Sequence, residues 1–226
     1  MNESIIYTFI KWSVRFVLFF FSLIFIILLL TKWINPPITT VILSESISLD
    51  QKVNQEWRTI DKIGKNVILT VLASEDSNFC THNGFDFNEI FRAKEKGFSR
   101  GASTISQQVS KNLILWRERS WFRKGLEALI TIMIEALWSK KRILEIYLNI
   151  AETGNGYFGI QAISNSLFKK NSYDLTLKEA SYIAVTLPNP KKRNAKKLSI
   201  NLKKRAESVR NGANTLRLDG RASCVL

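Results

Sequence analysis

The chain has 226 residues, 46% hydrophobic and 23% charged, which is room for one domain of ordinary size plus a membrane segment and excludes a disordered tail. A formal net charge of +14 calls for an anionic partner, and nucleic acid, anionic lipid headgroups or a phosphorylated substrate would each answer to it. One histidine, His82, excludes a metal site built on several imidazoles, and two cysteines, Cys80 and Cys224, are too few to read as a disulfide framework and are expected as unpaired thiols.

From Phe16 to Leu30 the chain is apolar except for Ser22, and no charge interrupts the stretch from Phe16 to Thr31. A spanning helix needs about 20 residues, which residues 12–34 supply. Arg15 and Lys32 then snorkel to opposite headgroup layers, and Trp12 and Trp33 sit in the interfacial belts. A cleaved signal peptide would show small residues after Leu30. The chain instead runs Thr31-Lys32-Trp33-Ile34-Asn35-Pro36-Pro37, which favours an uncleaved anchor. Lys11 and Arg15 before the span, against Lys32 after it, place a short N-terminus (1–11) in the cytoplasm and the remaining domain outside.

Pro36-Pro37 ends the helix and opens an extended linker over 35–61, β-branched to Leu43 and polar to Gln55. From about Lys62 the pattern is helical, with an apolar run at Val67-Ile68-Leu69 and Val71-Leu72. Lys94 to Gly101 reads as a mobile loop. Thr104 with Gln107 three residues later fits a capping box for a helix over 105–115. Apolar spacing predicts a helix over 123–138, and Ser139 caps another over 140–149. After a turn region at Gly154, Gly156 and Gly159, helices follow over 160–168 and 177–187, the last stopped by Pro188 and Pro190. With no strand-rich pattern and no repeat, the domain over 62–200 is mainly α.

Four clusters carry groups that could do chemistry. Glu75-Asp76 follows an apolar helix directly, where unpaired carboxylates are costly to bury; a helix end entering solvent is the plainer reading. His82 alone reads as a structural histidine. Gly101-Ala102-Ser103-Thr104 opens a helix whose Thr104, Gln108, Lys111 and Asn112 share a face, suited to sugar hydroxyls and phosphates or simply solvated. Arg123 and Glu127 are four apart beside an apolar stripe, with Lys124 adjacent, forming either an ion pair of purely structural use or part of a site. Tyr147 and Asn149 precede the glycine-rich turn and suggest only a packed helix.

Sugar hydrolysis needs a carboxylic acid to protonate a poor leaving group. A pyrophosphate leaving group needs positive charge instead, and one carboxylate remains to deprotonate the attacking hydroxyl. Arg100, Lys111, Arg123 and Lys124 lie in or beside the carboxylate clusters, so the sequence fits a transferase better than a hydrolase.

Taken together, these segments resemble the peptidoglycan glycosyltransferases of glycosyltransferase family 51. The elements that carry the resemblance are Glu75-Asp76-x-x-Phe79-x-x-His82-x-Gly84-x-Asp86, then Gly101-Ala102-Ser103-Thr104-Ile105-Ser106-Gln107-Gln108-x-x-Lys111-Asn112-Leu113, Arg123-Lys124-x-x-Glu127-Ala128, Ser139-Lys140-x-x-Ile143-Leu144-Glu145-x-Tyr147-Leu148-Asn149, and Leu175-Thr176-x-x-Glu179-Ala180 leading to Leu187-Pro188-Asn189-Pro190. The resemblance implies a lysozyme-like helical glycosyltransferase domain behind a single transmembrane helix in the inner membrane, with the domain in the periplasm. It implies lipid II and a lipid-linked glycan strand as substrates, and cell-wall synthases as partners. Glu75 resembles the general base acting on the acceptor 4-hydroxyl, and Glu127 the second essential carboxylate. Lys111, Arg123, Lys124 and Arg100 would hold the pyrophosphate, and Ser103, Thr104, Gln108 and Asn112 match polar donor-site positions. A divalent cation, Mg or Mn, would sit at the pyrophosphate, although no metal cage can be read here.

The resemblance is quoted up to Pro190. Beyond it, 191–210 holds nine basic residues and one acid, and 201–226 reads as a basic, divergent tail. A lysozyme-like lytic enzyme would share the fold and a catalytic Glu but would not need Lys111, Arg123 or an uncleaved anchor. A membrane-tethered basic module would bind acidic lipid through 191–210, and a domain outside the cytoplasm disfavours nucleic acid as its partner.

Overall fold

The computed structural model describes residues 3–95, 97 and 101–226. The chain divides into two compact units, one ending at Pro36 and the other spanning Pro37–Leu226. The first is a single helix, α1 (Glu3–Thr31), of which Ile6–Thr31 is long and apolar enough to cross a membrane. Arg15 lies 5.2 Å from the Trp12 ring centre and Lys32 lies 5.1 Å from that of Trp33, so each cation is paired with its neighbouring interfacial aromatic. The helix stops at Thr31, whose hydroxyl donates back to the Ile27 carbonyl at 2.7 Å.

The second unit is mainly helical. The expected extended linker is interrupted by a helix, α2 (Thr40–Leu49). Thr39 caps it by accepting from Ile42 N, and Val41 and Ile42 bury against Phe158 and Val53. Tertiary burial and the cap override the strand preference of its β-branched residues. A short strand, β1 (Asn54–Gln55), then runs parallel to β3 (Tyr157–Phe158), which pairs antiparallel with β2 (Glu152–Gly154).

The helices that build the core are α3 (Lys65–Glu75), α5 (Ile105–Ile114), α6 (Trp121–Leu137), α7 (Lys140–Ile150), α8 (Ile160–Phe168) and α9 (Leu177–Ala184). Helix α7 is central: Ile143, Leu144, Ile146, Tyr147, Leu148 and Ile150 are all buried, and α5, α6 and α8 pack around it. The predicted capping box at Thr104 and Gln107 is present, and a second, at Thr176 and Glu179, starts α9. At Glu179 burial pushes the carboxyl up, but hydrogen bonds from Lys170 and from the Thr176 backbone and hydroxyl bring it below the ordinary range.

Three features depart from the sequence expectations. A short amphipathic helix, α4 (Phe87–Glu95), follows Asp86, whose Oδ1 accepts from Glu89 N at 2.9 Å. The divergent tail contains a nineteen-residue helix, α10 (Ile200–Leu218), capped by Ser199 and packed against α3 and α9 through Ala206, Val209, Ala213 and Leu216. Cys80 and Cys224, expected as separate thiols, form a disulfide with Cα atoms 5.8 Å apart. Packing of α10 along α3 brings these two residues together across 144 positions, a proximity that local pattern does not carry.

Helix α8 is entered through Gly159 at φ +79°, where an added Cβ would lie 2.8 Å from the Asn149 carbonyl oxygen. Gly159→Ala is therefore expected to destabilise the fold by about 3 kcal/mol, lowering Tm by roughly 6–12 °C in thermal unfolding followed by circular dichroism.

Candidate active site

The C-terminus of α3 and the N-terminus of α5 meet at one carboxylate. Asp76, the residue that ends α3, accepts from Ile105 N at 2.9 Å and from His82 Nε2 at 3.0 and 3.1 Å. It is only 7% exposed, so it takes up a free N–H at the start of α5 and complements that helix's dipole from inside the fold. His82 is held in turn: Lys140 Nζ donates to its carbonyl at 2.6 Å and lies 4.6 Å from the Phe79 ring centre. Of the adjacent acidic pair, Asp76 thus belongs to the fold.

Glu75 lines a groove of about 650 Å³ whose wall Asp76 also reaches. Its Oε2 accepts from Gln108 Nε2 at 3.1 Å, and Ser74 Oγ lies 3.4 Å from its Oε1. The Tyr147 hydroxyl lies 3.5 Å from Gln108 Oε1, which sets the amide with its N–H₂ towards Glu75. Burial first, then the nearby Glu75 and Asp76 charges, push the Tyr147 phenol well up, so it stays a donor.

Three residues after Gln108 on the same face of α5, Lys111 lines this groove and an adjoining cavity of about 280 Å³. Burial lowers its ammonium pKa; Glu127 opposes that shift, while Arg123, Lys124 and Arg117 add to it. Helix α6 supplies that cluster. Arg123 Nη1 donates to Glu127 Oε2 at 2.7 Å, Lys124 pairs with Glu127 Oε1, and Lys124 Nζ also reaches Ser103 Oγ at 3.3 Å. Glu127, at 3% exposed, is enclosed by these cations and is not among the groove-lining residues. Its position is that of an anion holding two cations in place, which a buried carboxylate requires.

The other residues singled out from the sequence separate in the same way. Ser103 lines the groove, and Asn112 lines the smaller cavity with Arg117 and Glu152. Thr104 reaches the groove wall, but its hydroxyl donates to the Gly84 carbonyl at 2.6 Å and accepts from Gln107 N, so it is committed to the cap. Arg100 lies outside the described residues. Arg119, Arg193 and Arg205 also line the groove, although sequence reasoning did not select them. Arg193 and Arg205 sat inside a basic run read as a surface; Arg193 is held by its bond to the Val185 carbonyl at 2.9 Å, and the return of α10 onto α3 brings Arg205 here. Asp86 and Glu89 line it as well. At Asp86 burial raises the carboxyl, but hydrogen bonds from Glu89 N and Asn78 and the nearby His82 hold it below the usual range.

Chemically, the groove sets carboxylates, Glu75 held by the Gln108 amide and Asp86 by the Asn78 amide among them, beside the ammonium and guanidinium groups of Lys111, Arg119, Arg193 and Arg205. That set can accept a proton from a hydroxyl while stabilising a departing anion. Among the described residues no group of three His, Cys, Asp or Glu side chains is placed to hold a metal ion.

A family model described as Transglycosylase matches residues 42–214, a span that contains every groove residue named above and ends inside α10. The biosynthetic peptidoglycan transglycosylase of Mannheimia succiniciproducens is 40% identical over 97% of this chain and 94% of its own length. The protein of the same name from Haemophilus influenzae strain PittEE is 43% identical over 80% of this chain and 79% of its own. That of Chromohalobacter salexigens reaches 47% over 70% and 69%.

The division between Asp76 and Gln108 can be measured. Asp76→Ala strands a buried backbone N–H and the His82 ring, so unfolding stability should fall by about 2–4 kcal/mol. Gln108→Ala, whose partners face the groove, should leave stability within about 1 kcal/mol of the parent. Denaturant titration of both variants checks the contrast.

Proposed function

The chain belongs to the transglycosylase family, and on that premise we propose that it is a peptidoglycan glycosyltransferase in which Glu75 deprotonates the acceptor sugar and the α5–α6 cations receive the leaving pyrophosphate. The observation that carries the proposal is the placement of Glu75, Gln108 and Lys111 in one groove, with Arg123 and Lys124 held next to Lys111 by Glu127. The substrates are lipid II as acceptor and a lipid-linked glycan strand as donor. Glu75 takes the proton from the acceptor 4-hydroxyl, and that oxygen forms a bond to the anomeric carbon of the donor. The bond from that carbon to the pyrophosphate breaks on the opposite side, its electron pair leaves with the phosphate oxygen, and undecaprenyl pyrophosphate departs with inversion at the carbon. Gln108 holds the Glu75 carboxylate in position throughout.

Lys111 is the most direct phosphate ligand. Its ammonium lines both cavities, and burial first, then the neighbouring Arg123, Lys124 and Arg117 charges, lower its pKa against the opposing pull of Glu127. Arg123 and Lys124 contribute field from their fixed positions on Glu127. A divalent cation would add neutralising charge for the pyrophosphate; among the described residues no group of three His, Cys, Asp or Glu is placed to hold one. A lytic enzyme acting on neutral glycan would have no use for this bank of cations.

Helix α1 has the length and composition of a single-pass anchor. We place its N-terminus in the cytoplasm and the catalytic unit in the periplasm. The basic residues Lys11 and Arg15 ahead of the span support that orientation, as does the Cys80–Cys224 disulfide, since such bonds persist in oxidising compartments.

Labelled lipid II given to detergent-solubilised full-length protein should be polymerised, and Glu75→Gln should reduce turnover by about 10²–10⁴-fold while Tm stays close to the parent's. Glycan strands cut while lipid II persists would replace this reading with a lytic one. The pH dependence follows from Lys111: its lowered pKa means the ammonium, and with it affinity for the lipid pyrophosphate, is lost at a lower pH than for an ordinary lysine. Lys111→Arg should move that alkaline fall in kcat/KM to higher pH.

A further inference from the structure

Helix α10 is a wall of the groove, packed along α3 and α9 through small buried side chains. Its buried residues, Ala206, Val209, Ala213 and Leu216, include two alanines, so burial contributes modestly for nineteen residues. Lys203, Lys204, Arg205, Arg210 and Arg217 give it a strong positive charge that opposes close docking in an already basic chain. The polar contacts that tie its C-terminal half to the rest are exposed: Arg217 Nη2 to Asn66 Oδ1 at 3.0 Å and Arg221 Nη1 to Asn78 Oδ1 at 3.4 Å. Exposed bonds of this kind contribute little. Beside these contacts and the packing on α3 and α9, one tie is covalent. Cys224, just after α10, is bonded to Cys80, four residues beyond Asp76, closing a loop of 144 positions. Without that bond the two segments would be free to separate over a large loop. Arg205, carried by α10, lines the groove that holds Glu75.

We propose that the Cys80–Cys224 disulfide is a positioning cross-link for the transfer reaction: it keeps α10 docked on α3 and so keeps Arg205 in the groove, where its guanidinium meets an anionic group of the lipid-linked substrate. The proposal rests on the polymerase reading above. It makes full substrate affinity conditional on oxidation of this pair, so the domain completes its groove only in an oxidising compartment. Cys224 is exposed, which opens the bond to an external dithiol. Reduction returns two electrons and two protons to the cysteines and converts the dithiol to its own disulfide.

The test uses full-length detergent-solubilised protein in three forms: oxidised, reduced with dithiothreitol, and Cys224→Ser, each with and without Arg205→Gln. Free thiols are counted, and measurements are made well below the Tm of the reduced form. Steady-state kinetics with lipid II are run beside equilibrium binding of fluorescent lipid II. We expect reduction or Cys224→Ser to raise KM and the binding Kd about tenfold while kcat changes less than threefold, with reoxidation restoring the reduced wild type. Arg205→Gln should weaken binding similarly in the oxidised protein and add nothing once the cross-link is gone. An unchanged KM and Kd on reduction, or losses that multiply, would overturn the proposal. Oxidised protein that binds lipid II without polymerising it would remove the polymerase reading alone, because a reduction-dependent loss of binding still supports the cross-link.

Discussion

Asp76 is a single carboxylate shared between two helix ends and a histidine, and the geometry of the groove descends from it. By accepting from Ile105 N it fixes where α5 begins, and by accepting from His82 it ties in the connection that follows α3. Glu75 precedes it at the same helix end, so fixing Asp76 also fixes where Glu75 enters the groove. Because Gln108 and Lys111 follow Ile105 by three and six residues, the same anchor aims both at Glu75's groove. The proposed base and phosphate ligand are thus registered against each other by one buried interaction. Such registration matters because general-base catalysis depends on sub-ångström placement of the acceptor proton.

The second constraint is electrostatic. Several cations stand within one small region, and they would repel one another without an internal anion. Glu127 is that anion: it binds Arg123 and Lys124 from inside and contributes a favourable field to Lys111. Glu75 and Glu127 are therefore placed for different ends, one lining the groove and one organising positive charge. Among the described residues Lys111 has no such tight anionic contact: burial and the neighbouring cations lower its pKa, and Glu127 opposes them only in part.

What could be read from the sequence was whatever a local pattern encodes. The capping box at Thr104 and Gln107, the serine cap at Ser139 and the apolar spacing of α6 and α7 put the site residues on identifiable helices. The same capping signal carried a warning: a threonine hydroxyl that caps α5 is already in use, and Thr104 is spent on the fold. Helix α2 was hidden because its β-branched residues favour strand until burial against Phe158 decides otherwise. Helix α10 was hidden because its buried face is small and its charge dominates the pattern. With α10 went Arg205 as a groove residue and the disulfide, both of which depend on contacts between distant parts of the chain.

With Glu75 as the proposed base and cations for the leaving group, the transfer is expected to be a direct displacement, with no covalent sugar–enzyme intermediate. The stereochemistry of the new glycosidic bond reports on this most directly, read by NMR from short oligomers made with isotope-labelled lipid II. Inversion relative to the donor's lipid–pyrophosphate linkage is the predicted outcome. Retention would require two successive displacements through an enzyme nucleophile and would contradict the assignment of Glu75 as a base.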